Sequence, residues 1–577
     1  MFESAELGHE IDHERYAADE PRVRRALLAA QYEIVKLAAF PVVILIAGVD
    51  GAGKGDTVNM LNEWMDPRHI QTNAMRPVVD PLDGRPPMWR FWSPLPPSGR
   101  FAIFVGSWYS QPLVKRVYRE IDSNELDRQI TGIKRFEQML TDEGTLLIKF
   151  WLHLSKDQQR KRFEKFSKRK KTAWRVRDTD WKHLKHYKRF VSVAHHLIRD
   201  TSTPDAPWIV LEGNDDRYRN LTVATTILAA LKQRLEATKV ATAEKAARAA
   251  EAAAAAAVVA AATAAAAAAV LTATAAPVET PPTAATAAAA AAAAKSATAA
   301  TAATAAATAT DATAADAGPP GEPMAESEEI EPTRRQMSID GISVLDRLEL
   351  DQVLDKKAYR DQLECWQGRL NLATQHRRFD KISVIAAFEG CDAAGKGGAI
   401  RRVTQALDAR NYDVIPVGPP TDEEKTRPYL WRFWRHLPAR GRMKIFDRSW
   451  YGRVLVERVE GYCEPRDWAR AYGEINDFET ELVTNDTVLV KFWLQISKDE
   501  QLRRFEERVA TPHKQHKITN EDWRNRERWD DYYRAVSEMF ERTSSEHAPW
   551  TLVEANNKYF ARVKVLRTLV HAIEAML

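Results

Sequence analysis

The chain has 577 residues, which predicts several domains rather than one. Its net charge of +4, from 84 basic and 80 acidic residues, gives no bulk signal for nucleic-acid binding, so any anion-binding surface must be local. The three cysteines share no metal-like spacing and are too few for a disulfide framework. The N-terminus lacks the apolar stretch of a signal peptide, so the sequence favours a reducing cytoplasm.

The chain contains an internal repeat. At an offset of 342 residues, the difference between Gly390 and Gly48, the second half matches the first without a gap over most of its length. The matching blocks are Gly48–Gly55 with Gly390–Gly397, Trp89–Trp92 with Trp431–Trp434, Ser107–Tyr109 with Ser449–Tyr451, Lys149–Leu152 with Lys491–Leu494, and Ala206–Trp208 with Ala548–Trp550. We therefore predict homologous domains at 1–236 and 336–577, joined by an Ala/Thr-rich low-complexity linker at 237–335.

The predicted linker includes an uncharged stretch, Ala252–Ala276, that is long enough to span a bilayer. It is almost all Ala and Thr, with few large apolar side chains and no aromatic anchors at its ends. We therefore expect an Ala-rich linker rather than a membrane span. Ala favours helix, whereas Pro277, Pro281 and Pro282 are expected to end any helix there.

Short apolar runs alternate with helical stretches in the C-terminal half. The predicted strands are Ile382–Phe388, Asp413–Val417, Met443–Phe446, Thr487–Leu494 and Trp550–Ala555, and Asp499–Val509 is a predicted amphipathic helix. This alternation predicts an α/β fold, in which each domain is a parallel sheet covered by helices on both faces. Ligands of such sheets bind at the carboxyl ends of the strands.

The first predicted strand leads into a phosphate-loop pattern, Gly390-x-x-x-x-Gly395-Lys396, that opens a helix. Its glycines let backbone N–H groups turn toward phosphate oxygens, the helix N-terminus adds a favourable dipole, and Lys396 supplies a positive charge. The alternative is a tight turn that only packs helix against strand. The candidate phosphate-binding residues of this loop are Gly390, Ala393, Ala394, Gly395, Gly397 and Gly398.

The position after Lys396, where common P-loop enzymes carry a Ser or Thr that ligates Mg²⁺, is Gly397. The metal must then find other oxygens, and Asp392 in the loop and Asp447 after a strand are the available hard ligands. The alternative for Asp392 is a turn-stabilising role.

A second cluster, Asp447–Arg453, follows the predicted strand Met443–Phe446. Asp447 can hold Mg²⁺ or orient the phosphate acceptor. Arg448 and Arg453 can neutralise charge that develops on a transferred phosphoryl group, because a guanidinium matches phosphate geometry. The alternative is a surface ion pair.

Further basic residues extend the candidate phosphate site. Arg504 and Arg508 are four residues apart on one predicted helix face, which suits a mobile lid that closes over phosphates, and Arg432 is an additional candidate. The alternative is a solvated helix face, paired with Glu506 or Glu507.

The two copies differ where chemistry would occur. The N-terminal copy has Val105, Gly106, Gln111 and Phe166 in place of Asp447, Arg448, Arg453 and Arg508. It keeps Asp50, Lys54, Arg90 and Arg162 at the positions of Asp392, Lys396, Arg432 and Arg504. We therefore predict that the N-terminal copy is catalytically silent or nearly so, although phosphate could still bind there.

Four motifs of the C-terminal half, Gly390–Gly398, Phe446–Arg453, Phe492–Gln501 and Ala548–Trp550, together resemble the type-2 polyphosphate kinases. The resemblance covers both halves and spares only the linker and the extreme termini. It implies a thymidylate-kinase-like P-loop fold with a helical lid. It also implies Mg²⁺-dependent transfer of a terminal phosphoryl group between inorganic polyphosphate and a nucleotide.

Carried over by motif, the resemblance implies a catalytic core of Asp392, Lys396, Asp447 and Arg448, with Asp392 and Asp447 on the metal. The implied phosphate contacts are Arg453, Arg504 and Arg508. Tandem members of the family make ADP from AMP with the catalytic motifs in the C-terminal half, which implies AMP and ADP as partners beside polyphosphate. One departure is Gly452, where many relatives carry Asn, which puts nucleotide contacts at that point in doubt.

We expect no nucleic-acid partner and no membrane. A homo-oligomer is compatible with the sequence, although two fused domains could imitate a dimer within one chain. Two other functions remain open at this stage. One is an ATP-dependent nucleotide kinase of the same fold, because fold alone does not fix the donor. The other is a non-catalytic polyphosphate-binding module.

Overall fold

The computed structural model describes residues 1–75, 84–168, 175–274, 343–511 and 518–577. The chain divides into two compact units. One unit comprises Met1–Thr238 and Ile342–Leu577 and contains both copies of the repeat, and the other is Lys239–Gly341. The predicted helix stops at Pro277, Pro281 and Pro282 lie outside the described residues.

The N-terminal copy alternates strands and helices along its length. Its strands are β1 (Val42–Gly48), β2 (Ile70–Ala74), β3 (Phe101–Val105), β4 (Leu146–His153) and β5 (Trp208–Glu212). Its helices are α1 (His13–Leu37), α2 (Lys54–Trp64), α3 (Trp89–Trp92), α4 (Ser110–Val117), α5 (Ser123–Asp142), α6 (Lys156–Ser167), α7 (Asp178–Lys185), α8 (Tyr187–Thr201) and α9 (Asp216–Thr274).

The C-terminal copy repeats this order of elements with one additional short helix, at Asp422–Lys425, whose equivalent positions 80–83 lie outside the described residues. Its strands are β6 (Ser383–Gly390), β7 (Tyr412–Pro416), β8 (Met443–Asp447), β9 (Thr487–Gln495) and β10 (Trp550–Glu554). Its helices are α10 (Lys356–Gln375), α11 (Lys396–Thr404), α12 (Asp422–Lys425), α13 (Trp431–Trp434), α14 (Val456–Val459), α15 (Pro465–Thr484), α16 (Lys498–Ala510), α17 (Asn520–Glu527), α18 (Trp529–Thr543) and α19 (Lys558–Glu574).

Local sequence explains where several of these helices begin. Ser497 caps α16 by accepting a hydrogen bond from the backbone N–H of Glu500, and Asn557 caps α19 in the same way. Pro465 occupies the first position of α15, where its missing N–H leaves no hydrogen bond unmade.

Each copy forms a five-stranded sheet with the same topology. The strand orders are β2-β3-β1-β4-β5 and β10-β9-β6-β8-β7, and the paired strands are parallel. Val43 and Leu45 of β1 pack into one core, whereas Val42 and Ile44 pack into the core on the opposite face. The strands are therefore buried on both faces, as parallel sheets require. The predicted α/β fold is confirmed, and each predicted C-terminal strand agrees with the observed strand to within two residues.

The two copies pack against each other around an approximate two-fold axis, because equivalent residues meet across the interface. The rings of Trp92 and Trp434, which are 342 positions apart, stack with centroids 5.2 Å from each other. Arg135 forms an ion pair with its own equivalent, Asp477. Such self-complementary contact is typical of a symmetric dimer. The tandem chain thus contains the interface of a pseudo-dimer.

Reciprocal hydrogen bonds extend this symmetry. Arg85 Nε donates to the carbonyl oxygen of Leu437 at 3.2 Å, and Arg427 Nε, its equivalent, donates to that of Leu95 at 3.3 Å. One continuous apolar core includes Leu45 of the first sheet and Ile385 of the second. The two sheets therefore share a hydrophobic core.

A buried polar network recurs in both copies. In the C-terminal copy Lys491 Nζ lies 2.7 Å from Glu479 Oε2 and donates to the carbonyl oxygen of Thr543 at 2.8 Å. In the N-terminal copy Lys149 and Glu137 make the same pair at 2.6 Å. Because both copies keep it, we assign this network to the fold rather than to chemistry.

The helix α9 contains one segment, Asp216–Ala265, that is long and apolar enough to cross a membrane. Within the described residues it is the one helix that passes this test of length and composition. A single helix of this kind is weak evidence for a membrane span.

Replacing Lys491 by Met tests the structural role of the buried network. We expect the free energy of unfolding to fall by about 3–5 kcal/mol, because Glu479 is left as a buried carboxylate without its cation. Chemical denaturation of the full chain measures the change, with the exposed Lys357→Met as the matched control. A loss below about 1 kcal/mol, the usual worth of a surface ion pair, would contradict the assignment.

Candidate active site

The phosphate loop of the C-terminal copy joins the end of β6 to the start of α11. Gly390 has a φ of +145°, and a Cβ there would lie 2.4 Å from the carbonyl oxygen of Leu494, so a side chain cannot fit. Lys396 Nζ donates hydrogen bonds to the carbonyl oxygens of Gly390 at 2.7 Å and Cys391 at 3.4 Å. The lysine thus lies over the loop, where an incoming phosphate can compete for its ammonium group.

The structure brings Asp392 and Arg448 together. Arg448 Nη2 lies 3.4 Å from Asp392 Oδ1, and Asn525 Nδ2 of α17 donates to Asp392 Oδ2 at 2.9 Å. Asp447 ends β8 and pairs in register with Phe388 of the adjacent strand β6. Asp392 follows β6 and Asp447 ends the neighbouring strand β8, so the two acids lie at the same edge of the sheet.

Two residues of this site adopt backbone conformations that side chains disfavour. Ala393 has a φ of +63° and Arg448 a φ of +66°. Their equivalents in the N-terminal copy are Gly51 and Gly106, with φ of +80° and +75°. A non-glycine residue in this region costs roughly 1–3 kcal/mol, and such strain clusters at functional sites. The C-terminal copy therefore has side chains at two strained backbone positions. The N-terminal copy has glycine at both, and glycine adopts this conformation without strain.

The structure adds a buried acid that the sequence motifs did not single out, Glu389, next to the end of β6. It is 6% exposed, and its Oε1 accepts hydrogen bonds from Ser449 N at 2.7 Å and Ser449 Oγ at 2.8 Å. Burial raises the pKa of Glu389, and the charges of Lys396 and Arg448 act against that rise. Glu389 thus ties the strand of the phosphate loop to the turn that carries Arg448.

The internal repeat holds a signal that could have identified Glu389. Its equivalent in the N-terminal copy is Ala47, so this acid is absent where Asp447 and Arg448 are also absent. The buried Glu479, by contrast, keeps an equivalent in Glu137. An acid that disappears with the charged residues of the site, and not with the fold network, belongs to the site.

A pocket with a cavity volume of about 120 Å³ opens beside the loop. One part of its wall is polar and the other is mostly apolar and aromatic. The polar part includes Glu389, Asp392, Arg448, Gln501 and Asn525, and the apolar part includes Leu345, Leu455, Val456, Trp529, Tyr532, Tyr533 and Val536.

The remaining predicted arginines lie in different surroundings. Arg504 is 3% exposed and donates to the carbonyl oxygens of Ala393 and Ala394 at 2.9 and 3.0 Å, so it contacts the phosphate loop through the backbone. Arg432 donates to the carbonyl oxygen of Gly418 at 3.1 Å. Arg508 is half-buried on the same helix as Arg504, α16.

Arg453 faces the interface between the copies. Its guanidinium lies 4.4 Å from the ring centre of Tyr429 and its Nε lies 2.9 Å from Glu457 Oε2. Burial lowers the pKa of Arg453, but Glu457 and then Glu143 of the N-terminal copy raise it overall. Arg453 is not part of the pocket wall, so its predicted phosphate contact stays a prediction.

The loop of the N-terminal copy retains part of this arrangement. Lys54 Nζ lies 3.3 Å from Asp50 Oδ1, and His183 Nδ1, at the position of Asn525, lies 2.7 Å from Asp50 Oδ2. Burial alone would raise the pKa of Asp50, but the charge of Lys54 and the contact with His183 lower it. The loop lysine and aspartate therefore persist, while the strand-end acid and arginine are replaced by Val105 and Gly106.

A glycine-rich loop with its lysine, placed beside a strand-end acid and arginine at the carboxyl edge of a parallel sheet, defines a P-loop phosphotransferase. The sequence model of Polyphosphate kinase 2 matches residues 10–239 and 353–577, which together form most of the chain. The chain belongs to the polyphosphate kinase 2 family, and both copies of the repeat are members.

Known relatives match the chain over its full length. A protein of Pseudomonas aeruginosa named polyphosphate:AMP phosphotransferase is 47% identical over 576 residues, covering 100% of this chain and 99% of the relative. A protein of the same name from Pseudomonas syringae pv. tomato is 42% identical, covering 100% and 98%. A crystal structure of a polyphosphate kinase 2 from Pseudomonas aeruginosa has a TM-score of 0.77 at 45% identity, covering 100% and 99%.

Two substitutions test whether Glu389 positions the Arg448 turn. Glu389→Gln keeps an acceptor for Ser449, whereas Glu389→Ala introduces the residue of the N-terminal copy. We expect kcat for phosphoryl transfer to fall about tenfold to hundredfold in Glu389→Ala, the equivalent of one hydrogen bond to a charged group, and less in Glu389→Gln. Steady-state rates measure this, and thermal unfolding separates it from a folding defect. An unchanged kcat in a folded Glu389→Ala chain would contradict the role.

Proposed function

We propose that this chain transfers the terminal phosphoryl group of inorganic polyphosphate to AMP and thereby makes ADP. The observation that carries the proposal is the full-length match, at 47% identity, to a relative named for that reaction. The fold alone would also suit a kinase that uses ATP. The retained set of Asp392, Lys396, Asp447 and Arg448 favours an enzyme over a binding module.

We place the reaction in the C-terminal copy. That copy has an acid at the end of a strand, Asp447, an arginine next to it, Arg448, and a buried acid, Glu389. The N-terminal copy has none of the three at the equivalent positions. The pocket that adjoins Asp392 and Arg448 is the proposed site for AMP. Its aromatic wall suits the base, and its polar wall lies next to the phosphate loop that would hold the end of the polyphosphate.

The residues of the site then have separate tasks. Lys396 moves from the loop carbonyls to the donor phosphate and stabilises charge on the group in transfer, and Arg448 does so from the acceptor side. Asp392 is oriented by Asn525 and Arg448, and Glu389 fixes the turn through Ser449. Because phosphoryl transfer depends mainly on positioning and charge stabilisation, no covalent step by the protein is needed.

We propose Mg²⁺ as the cofactor, with Asp392 and Asp447 as its protein ligands. Within the described ranges no three His, Cys, Asp or Glu side chains converge into a metal cage. This suits Mg²⁺, which binds through one or two carboxylates together with phosphate oxygens and water. When bound, the ion would neutralise charge on the donor and acceptor phosphates.

We place the enzyme in the cytoplasm. Its cysteines, Cys365, Cys391 and Cys463, are all free thiols. Burial raises the pKa of Cys391 to about 11, so this thiol stays protonated and unreactive beside the loop.

A coupled assay tests both which phosphate donor the enzyme uses and which copy carries out the reaction. Purified chain with AMP and polyphosphate should form ADP, and Asp447→Ala should reduce the rate by about a thousandfold or more, as expected when a principal charge of the site is lost. Asp361→Ala, at an exposed position on α10, is the matched control and should keep the wild-type rate.

Two outcomes of this assay would contradict the proposal. Formation of ADP only when ATP replaces polyphosphate would identify an ATP-dependent kinase. Substantial polyphosphate-dependent activity in Asp447→Ala would show that the N-terminal copy also works.

Omission of Mg²⁺, with EDTA present, should abolish activity, and persistence of activity would remove the metal from the mechanism.

A further inference from the structure

The two copies differ sharply in the charge of their lid segments. We use the name N-terminal lid for residues 156–168 and 175–189, and C-terminal lid for the equivalent residues 498–510 and 517–531. The N-terminal lid has twelve Lys and Arg residues against four Asp and Glu, whereas the C-terminal lid has eight against nine. The copy that has lost its strand-end acid and arginine therefore has the strongly positive lid.

The charges of the N-terminal lid are largely unpaired. Its exposed cations without an ion pair in the described part of the chain are Arg160, Lys161, Lys165, Lys168, Lys182, Lys185 and Lys188. In the C-terminal lid, acids pair with several of the arginines. Arg503 lies 2.7 Å from Glu500, and Arg524 lies 3.0 Å from Glu460. Unpaired like charges on one surface repel each other, so this surface is stabilised by an anionic ligand.

The helices that carry the positive surface rest on the phosphate loop of their own copy. Gln159 Nε2 of α6 donates to the carbonyl oxygen of Asp50 at 2.8 Å, and His183 of α7 contacts the Asp50 side chain. Both lid helices therefore rest on the loop that carries Lys54. Lys161, Lys165 and Lys168 follow each other at spacings of four and three residues, which places them on one face at the end of α6.

We propose that the N-terminal lid and loop form a binding site for a long inorganic polyanion, the polyphosphate donor itself, without transferring phosphate. A group of exposed cations on the outer face of helices that rest on a phosphate loop matches a chain of evenly spaced phosphates. This inference rests on polyphosphate being the donor, as proposed above. It also assigns a function to the N-terminal copy, because polyphosphate bound there is kept at high local concentration for the C-terminal site.

Exposed aromatic rings distinguish polyphosphate from single-stranded nucleic acid as the occupant. Proteins that bind single strands stack bases on such rings. The described part of the N-terminal lid has no exposed large apolar or aromatic residue. Within the described residues 156–168 and 175–189, the surface therefore offers charge without an exposed aromatic platform for bases, which favours an inorganic chain.

The test uses the full-length chain with Lys161→Gln, Lys165→Gln and Lys168→Gln combined. We expect the ratio of KM for long-chain polyphosphate to KM for tripolyphosphate to rise about tenfold, because only a long chain can reach both copies. Direct binding of labelled long-chain polyphosphate should weaken, and the slope of log affinity against log salt should fall by about two for three lost phosphate contacts. The matched control combines Lys356→Gln, Lys357→Gln and Lys381→Gln, three exposed lysines outside the lid.

Each remaining outcome has a defined meaning. Unchanged long-chain affinity in the lid variant, or an equal loss in the control, would overturn the proposal. Equal affinity of the wild type for an oligothymidylate of the same charge would also overturn it in favour of a nucleic-acid surface. If the wild type makes no ADP from polyphosphate but the lid variant still loses binding, the proposed function fails and this site stands.

Discussion

The shape of the phosphate loop depends on one buried guanidinium, that of Arg504. It donates to the loop carbonyl oxygens of Ala393 and Ala394, and also to those of Ala555 at 2.7 Å and Asn556 at 2.9 Å, just after β10. Glu500 lies 2.6 Å from its Nε and balances its charge. Hydrogen bonds that involve a charged group contribute about 1.5–3 kcal/mol each, so this cluster fixes the loop against the last strand.

This bracing explains how a loop rich in small residues can hold a strained conformation. Arg504 ties the carbonyl groups of Ala393 and Ala394, and the N–H of Ala394 donates within the loop to the carbonyl oxygen of Cys391 at 3.1 Å. On the opposite side, Glu389 holds the turn of Arg448 through Ser449. In the N-terminal copy Arg162 keeps the bond to the residue after the last strand, because it donates to the carbonyl oxygen of Gly213, the equivalent of Ala555, at 2.8 Å, but it contacts Asp216 rather than the loop carbonyls. The loop of that copy is therefore supported differently, although its sequence is similar.

Much of the fold and part of the site could be predicted from the sequence, because both follow from local patterns. Apolar runs fixed the strands, and the loop motif placed Lys396 and Asp392 at a strand end. The sequence predicts Arg504 as a phosphate contact, yet its hydrogen bonds go to backbone carbonyls, and helix spacing does not reveal which way a side chain turns. Glu389 lies at the end of an apolar run. In the sequence alone, an acid there indicates only where the strand ends and not that the residue belongs to a site. The pairing of Arg135 with Asp477 depends on domain packing, which no local pattern encodes.

The pseudo-dimer gives the asymmetry of the copies a physical basis. In a symmetric dimer of identical chains, any change that makes one lid strongly positive also changes the catalytic lid. Fusion removes this constraint, because each half then carries its own sequence while the shared core and the Trp92–Trp434 stack keep the two together. The structural network of Lys149 and Glu137 is retained in the N-terminal copy, so its fold stays intact after the loss of the acid and arginine. Without an acid at the position of Asp447, that copy also lacks a negative charge that would oppose a polyanion. Under the proposed division of tasks, the substitutions that remove transfer from the N-terminal copy therefore also favour retention of the donor chain there.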